Sequence, residues 1–308
     1  MQMKQLEAFL RVAELKSFTK AAQQMFMSQP AISFQIKALE DELQVSLFRR
    51  GDRKVLLTEA GRLLYPEARQ MVGHFQRIKD ALEDLRGLKT GRLAVGGSTV
   101  PGEYLLPGLI GLFKRRYPGI TVSLKIGDSQ EIADSVRGWE IDLGVTGAPV
   151  EAQGLTCRQW LADRLVVVAA ADLPVAKVLS PEEMLAQPMV LREAGSGTRQ
   201  VLEQRLRELG LSSQDCAEPM ELGSTRAVIS AVEAGLGLGV VSAWAAAQPL
   251  ALGRLVEVTV SGLNLDRFFY LIRQEAGLGS FALDAFFDFL ISQGASAEAQ
   301  APFTGSQA

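Results

Sequence analysis

Leu6, Phe9, Leu10 and Ala13 recur at steps of three and four, so residues 3–15 read as an amphipathic helix. After Ser17 a short helix, FTKAAQQM, presents a small face at Ala21 and Ala22 that lets another helix approach closely. MFM breaks the pattern, and Ser28 then offers a cap for a third helix with Pro30 in its first turn, where a missing N–H costs little. Ile32, Ile36, Leu39 and Leu43 form one apolar stripe predicted to be buried. Pro30, Ser33, Phe34 and Lys37 point away from it, with Gln29 at the exposed N-terminal end and Gln35 on the flank. LFRRGDRKVLL follows as two short strands around a Gly51-Asp52 turn. Thr58 can cap a further helix, with Glu59 at its positive dipole end. Along it Leu64, Ala68, Met71, Phe75, Ile78, Leu82 and Leu85 alternate by four and three, a seam of period 3.5 that pairs helix with helix, interrupted by Pro66 and Gly73.

Beyond a hinge at GLKTG (87–91) the pattern changes. Strands such as RLAVGGS, ITVSLKIG and DLGVTG alternate with helices around 104–116 and 129–137. A second set follows: RLVVVAA; PMVLRE with TRQVLEQRLREL; MELGS with TRAVISAVEAG; and LGLGVVS. RFFYLIR reads as a strand and SFALDAFFDFLIS as a closing helix. Such alternation predicts a mainly parallel α/β sheet. GLGLG (235–239) is an αβ turn and not a dinucleotide fingerprint, because a helix precedes it and a strand follows. The last fifteen residues, 294–308, are low-complexity and read as a disordered tail.

Composition narrows the classes. Apolar residues make up 47% and charged ones 22% of 308 residues, an ordinary globular balance with room for two or more domains. No apolar run approaches the roughly 18 residues of a membrane span, and the N-terminus has no signal-peptide pattern, so a cytoplasmic protein without a membrane partner is expected. Cys157 and Cys216 lack ligand spacing and read as packed thiols. His74, the sole histidine, reads as structural and without a partner. Residues 1–57 hold nine Lys/Arg against six Asp/Glu, whereas the remainder holds 23 against 29. A basic head on an acidic body points to a polyanion at the head.

The head has the chemistry for it. A short helix, a tight turn and a longer helix carrying Gln and Ser on its N-terminal half make helix-turn-helix logic. Gln can pair with adenine, Ser with bases or phosphate, and an aromatic edge can sit on a thymine methyl. A solvated polar face would show the same spacing, but the following hairpin brings Arg49, Arg50, Arg53 and Lys54, a wing suited to grip phosphate. Candidate DNA contacts are therefore Thr19, Ser28, Gln29, Pro30, Ser33, Phe34, Gln35, Lys37, Arg49, Arg50, Arg53 and Lys54.

Ala21-Ala22, Ser28-Gln29-Pro30-Ala31-Ile32-Ser33, Gln35-Ile36, Leu39-Glu40, Leu43, Leu47-Phe48, Arg50, Leu57-Thr58 and Gly61 together resemble the winged helix-turn-helix of LysR-type transcriptional regulators. The resemblance covers about residues 1–293; Phe34 departs from the basic or polar residue many members carry, which bears on base preference. It implies a DNA-binding domain over 1–58, a linker and dimerisation helix over 59–88, and an effector domain over 89–293 built like a periplasmic binding protein. Two strands would cross between its lobes, lobe I being about 91–161 with 267–293 and lobe II 162–266. It also implies an antiparallel pairing of linker helices, a homodimer or tetramer, and double-stranded promoter DNA carrying an interrupted inverted repeat. RNA polymerase is a further candidate partner.

Ligands of open α/β sheets bind beyond the carboxyl ends of strands. Here those ends carry Ser98-Thr99, Gly127-Asp128-Ser129, Thr146-Gly147, Gly195-Ser196-Gly197-Thr198 and Ser224-Thr225. Any one could be a plain helix cap; five converging on one cleft suit a small anion. Ser98, Thr99, Ser196 and Thr198, with Ser129 and Thr146, are the candidate effector contacts, and Arg192 and Arg199 lie near in sequence. REAGSGTR is similar to the same stretch in LysR-type regulators of sulfur, selenium and inorganic carbon metabolism. A solute-binding protein would leave the first 88 residues without a purpose, and an enzyme would need a nucleophile–base pair or metal cluster, for which one histidine offers little. The expected protein is an effector-responsive transcription factor, not an enzyme, with neither cofactor nor metal.

Overall fold

The computed structural model describes residues 1–50, 55–84, 90–275 and 279–297. They divide into two units, one comprising Met1–Leu82 with Gly138–Glu140 and the other the remainder from Glu83 onward. Gly51, Asp52, Arg53, Lys54, Leu85, most of the GLKTG hinge and residues 298–308 lie outside the described residues.

In the first unit α1 (Met3–Leu15), α2 (Phe18–Gln24) and α3 (Gln29–Leu43) precede a hairpin of β1 (Phe48–Arg50) and β2 (Val55–Leu57), then α4 (Glu59–Asp84). The capping chemistry is as expected: the Ser17 and Ser28 hydroxyls accept from Lys20 N and Ala31 N, and Gly61 N donates to Thr58 Oγ1 at 3.0 Å. Ile32, Ile36 and Leu39 are buried with Leu6, Phe9, Val12, Ala21 and Ala22. Leu43 is not; it ends the helix and is exposed, because Gln44 turns into the left-handed region and Leu47 takes up the core position. The strands pair antiparallel, Arg49 opposite Leu56. The Glu40 carboxylate accepts from the backbone N–H of Leu47 (2.6 Å) and Phe48 (3.3 Å), pinning the hairpin to α3. On α4, Leu64 and Ala68 pack into this core, whereas Met71, Phe75, Ile78 and Leu82 stay exposed. His74 does have a partner: its Nδ1 lies 3.2 Å from Arg77 Nη2, one turn along.

The second unit begins with β3 (Gly91–Ser98), α5 (Leu106–Arg116), β4 (Ile120–Gly127), α6 (Ser129–Arg137), β5 (Leu143–Thr146) and the long β6 (Leu155–Ala170). Next come β7 (Val178–Leu179), α7 (Pro181–Leu185), β8 (Pro188–Arg192), α8 (Gly197–Glu208), β9 (Glu218–Leu222), α9 (Thr225–Glu233), β10 (Leu238–Ser242) and α10 (Ala243–Ala251). β11 (Leu255–Val260), β12 (Asp266–Gln274) and α11 (Phe281–Ala297) complete it. The strand order is β4-β3-β5-β12-β6-β10-β8-β9, with β11 on β6 and β7 on β11. β3, β4 and β5 run parallel in one lobe and β8, β9 and β10 in the other, and antiparallel β6 and β12 lie between the two sets. Two α/β lobes on crossing strands, preceded by a helix-turn-helix, are the architecture anticipated.

Two boundaries move. β6 begins at Leu155, not near Arg164, because its first half pairs with β12 over Leu155–Arg164 and the charged residues in LTCRQWLAD hide the alternation. Pairing passes to β10 at Leu165, so the lobes change over after Arg164. α11 runs to Ala297, four residues into the predicted tail; it packs Phe286, Phe289 and Leu290 against Phe113, Trp160 and Phe269. Cys216 is buried, which pushes its thiol up, but Cys157 is exposed on β6 and is not a packed thiol. Gly237 must be glycine in the αβ turn, where φ is +132° and a Cβ would lie 2.2 Å from Pro188 O. Among the described residues no helix is long and apolar enough to cross a membrane, and no group of three His, Cys, Asp or Glu could hold a metal ion.

Candidate functional site

Two surfaces carry candidate chemistry, one in each unit. In the first, Ser28, Gln29, Pro30, Phe34 and Lys37 are exposed along α3, Ser33 and Gln35 are half-buried, and Thr19 at the start of α2 and Arg49 on β1 are exposed. Gln29 Nε2 donates to Ser33 Oγ at 3.0 Å. That bond fixes the amide while leaving its oxygen and one N–H free, the pair of groups an adenine edge requires. Phe34 is 69% exposed, a large apolar side chain with no packing role in its own unit. Arg53, Lys54 and the side chain of Arg50 lie outside the described residues.

In the second unit the carboxyl ends of β3, β4 and β5 face the N-terminus of α8 across a cleft lined by Ser98, Thr99, Asp128, Ser129, Gly147, Arg192, Ser196, Thr198 and Arg267. It is shut: the free volume is about 10 Å³, no more than a single water needs. Gly197 makes the closure possible, since a Cβ there would lie 3.0 Å from the Gly147 carbonyl carbon of the opposite lobe. Five of the six predicted effector contacts are brought together here. Thr146 is not; it is fully buried and its hydroxyl donates to Ala148 O at 2.8 Å, a local structural bond. Arg199 also turns away, to Glu203 (2.5 Å) and Ser213 (3.2 Å).

Helix capping explains some of these hydroxyls and not others: Ser224 caps α9, accepting from Ala227 N at 3.1 Å, and lies outside the cleft lining, whereas Ser129 and Ser196 cap nothing. Asp128 caps α6, accepting from Glu131 N at 2.7 Å, so Ser129 is free of that duty. Ser196 stands at the N-cap of α8 and makes no side-chain cap bond. The Ser129 hydroxyl is buried without a hydrogen-bond partner. A buried polar group left without a hydrogen bond costs about 1–3 kcal/mol.

Arg267 is the residue that sequence reading missed. It enters the cleft from β12, directly opposite Asp163 on β6, with Nε 2.7 Å from Asp163 Oδ2; both side chains are almost fully buried. Asp163 Oδ1 in turn accepts from Ser242 Oγ at 2.7 Å. Arg267 Nη1 reaches Thr198 Oγ1 at 3.2 Å in the other lobe, and its Nη2 is buried with no partner. RFFYLIR reads simply as a strand; the available signal was a charge on each of two apolar strands expected to lie side by side. Arg192 also spans the cleft: Nη2 donates to Thr99 Oγ1 (3.0 Å) and Nη1 to Thr225 Oγ1 (2.7 Å). Its remaining edge holds Glu193, Nε–Oε2 at 2.8 Å and Nη2–Oε1 at 2.5 Å. Burial favours a raised Glu193, but the Arg192 hydrogen bonds and charge outweigh it and hold the carboxyl below its ordinary value.

Comparison with known proteins matches residues 3–62 to the bacterial regulatory helix-turn-helix of the lysR family and residues 86–295 to the LysR substrate binding domain. The chain is 34% identical over 290 residues to the HTH-type transcriptional activator CmpR of Synechocystis, covering 94% of each. It is also 34% identical to the RuBisCO operon transcriptional regulator of Allochromatium vinosum, covering 95% of this chain and 96% of that one. Among solved structures, the regulatory domain of Synechocystis PCC6803 CcmR in complex with 2-PG matches with 27% identity and a TM-score of 0.61, over 67% of this chain and 98% of that domain. Of the three metabolic settings suggested by REAGSGTR, the relatives fall with inorganic carbon. The helix-turn-helix head, the two-lobe body and these relatives agree: the chain belongs to the LysR family and is a DNA-binding transcriptional regulator, not an enzyme.

Proposed function

We propose that this regulator reads promoter DNA through α3 and the wing and is controlled by a compact anionic effector held between Ser98, Thr99, Ser129, Ser196, Thr198 and Arg267. One observation carries the anionic reading: the buried Nη2 of Arg267 and the buried hydroxyl of Ser129 both line the cleft with no hydrogen-bond partner. A small oxyanion would satisfy both, with the Ser196 hydroxyl and the N-terminus of α8 alongside. The 2-PG bound by CcmR points to the same chemistry. Because the cleft is closed, entry requires the lobes to part about the β6–β12 crossing. On this reading residues 1–58 bind DNA, 59–88 link and dimerise, and 89–293 sense the effector; the protein works in the cytoplasm as a homodimer or homotetramer on an inverted repeat, with RNA polymerase as a candidate partner.

Thermal denaturation with sulfate, phosphate, 2-PG and small organic acids tests it. A ligand of the folded state at a hundred times its Kd adds about 2.7 kcal/mol. At least one anion is expected to raise Tm in the native protein and to lose that effect in Arg267→Lys; no response to any anion would contradict the reading.

A further inference from the structure

Arg192 and Arg267 both line the cleft, yet their hydrogen bonding differs. A guanidinium has five N–H groups. Four of those on Arg192 have partners: two on the Glu193 carboxylate, one on Thr99 and one on Thr225. Arg267 has an entire Nη2 unpartnered. Arg192 is 3% exposed, whereas the Glu193 side chain is 25% exposed and lies outside the cleft lining. A buried guanidinium needs a counter-charge; Glu193 supplies it in the bidentate geometry a carboxylate or phosphate ligand would use. Its partly exposed position lets it return to water at little cost once another anion takes the fork.

We propose that Glu193 is a tethered competitor of the effector: its carboxylate occupies the Arg192 fork, and an anion entering the cleft displaces it. The inference rests on the anionic reading of the cleft. Being the next residue in the chain, Glu193 competes intramolecularly, at an effective concentration on the order of millimolar, which raises the effector threshold. Thr99 of the opposite lobe offers Arg192 only a neutral hydroxyl acceptor, so capture of Arg192 by the effector adds a charged contact at the lobe junction that Glu193, outside the cleft, does not provide. The displaced form then holds the lobes together through the ligand.

Calorimetric titration of the full-length protein with inorganic phosphate and with sulfate, at fixed ionic strength, tests this. Glu193→Gln is expected to bind the anion three- to tenfold more tightly than the native chain, and Glu193→Ala to move the same way, both melting cooperatively. The gain is expected to vanish in an Arg192→Gln background, because the competition acts through that guanidinium; a gain from removing negative charge alone would survive there. Anion binding by the native chain with no gain in Glu193→Gln, or a gain that persists without Arg192, overturns the competitor and leaves the anion site standing. Silence from the native chain and all variants overturns the anion site and the competitor together.

Discussion

Phe34 and Arg267 are single residues whose surroundings define their work. Phe34 projects from α3 beside Ser33 and Lys37 with nothing in its own unit to cover it. Contact with a thymine methyl would bury about one methyl group, worth about 0.8 kcal/mol or roughly fourfold in affinity. On operator fragments selected from random DNA, replacing the contacted thymine by deoxyuridine is expected to weaken the native protein by about that factor and leave Phe34→Ala unaffected. Equal sensitivity in both would remove Phe34 from base reading. Arg267 stands with Asp163 in a pair whose side chains are 4% and 0% exposed, one on each crossing strand. Breaking a buried pair leaves an uncompensated charge, at a cost of about 3–5 kcal/mol. Asp163→Asn is therefore expected to lower Tm by on the order of 10 °C, read by calorimetry; an unchanged Tm would show that the pair carries no such weight.

At the scale of elements, α4 is divided. Its first turns belong to the core of the first unit through Leu64 and Ala68, while Met71, Phe75, Ile78 and Leu82 continue the same seam partly exposed. Replacing Phe75 and Ile78 by Glu is expected to shift the sedimentation coefficient to that of a monomer and to weaken DNA binding; a variant that sediments with the native protein would place the subunit interface elsewhere. The helices of the first unit were legible in the sequence because their signals are local: a capping hydroxyl, a proline in the first turn and steps of three and four. Leu43 deceived because periodicity does not announce where a helix stops. β6 was half legible. Its apolar RLVVVAA is self-evident, but the preceding LTCRQWLAD is a strand only because β12, more than a hundred residues away, pairs with it. The cleft was legible as a set of hydroxyls at strand ends, whereas Arg267 was not, since its meaning depends on that same long-range register. Thr146 and Arg199 were plausible by position and are spent elsewhere, on Ala148 and Glu203.

In the whole molecule, effector and DNA binding are tied by linkage. A ligand shifts a protein between arrangements only by its difference in affinity for them, and the coupling between two sites is reciprocal. The closed cleft, the crossing strands and the cross-lobe bonds of Arg192 and Arg267 make lobe angle the natural coordinate for effector binding. Glu193 adds a pH term: its carboxyl is held low by Arg192, so the ion pair's stabilisation is present above the ordinary carboxylate pKa and is lost as pH falls through the lower folded value. An anion in this cleft is therefore expected to govern DNA affinity. The most direct measurement is the fluorescence anisotropy of labelled operator DNA titrated with the full-length protein, with and without saturating anion, in the native chain and in Arg267→Lys. The anion is expected to change the DNA Kd in the native chain, DNA to change the anion Kd by the same factor, and both effects to disappear in Arg267→Lys. A DNA affinity indifferent to every anion, or a response that survives loss of the Arg267 guanidinium, would contradict it.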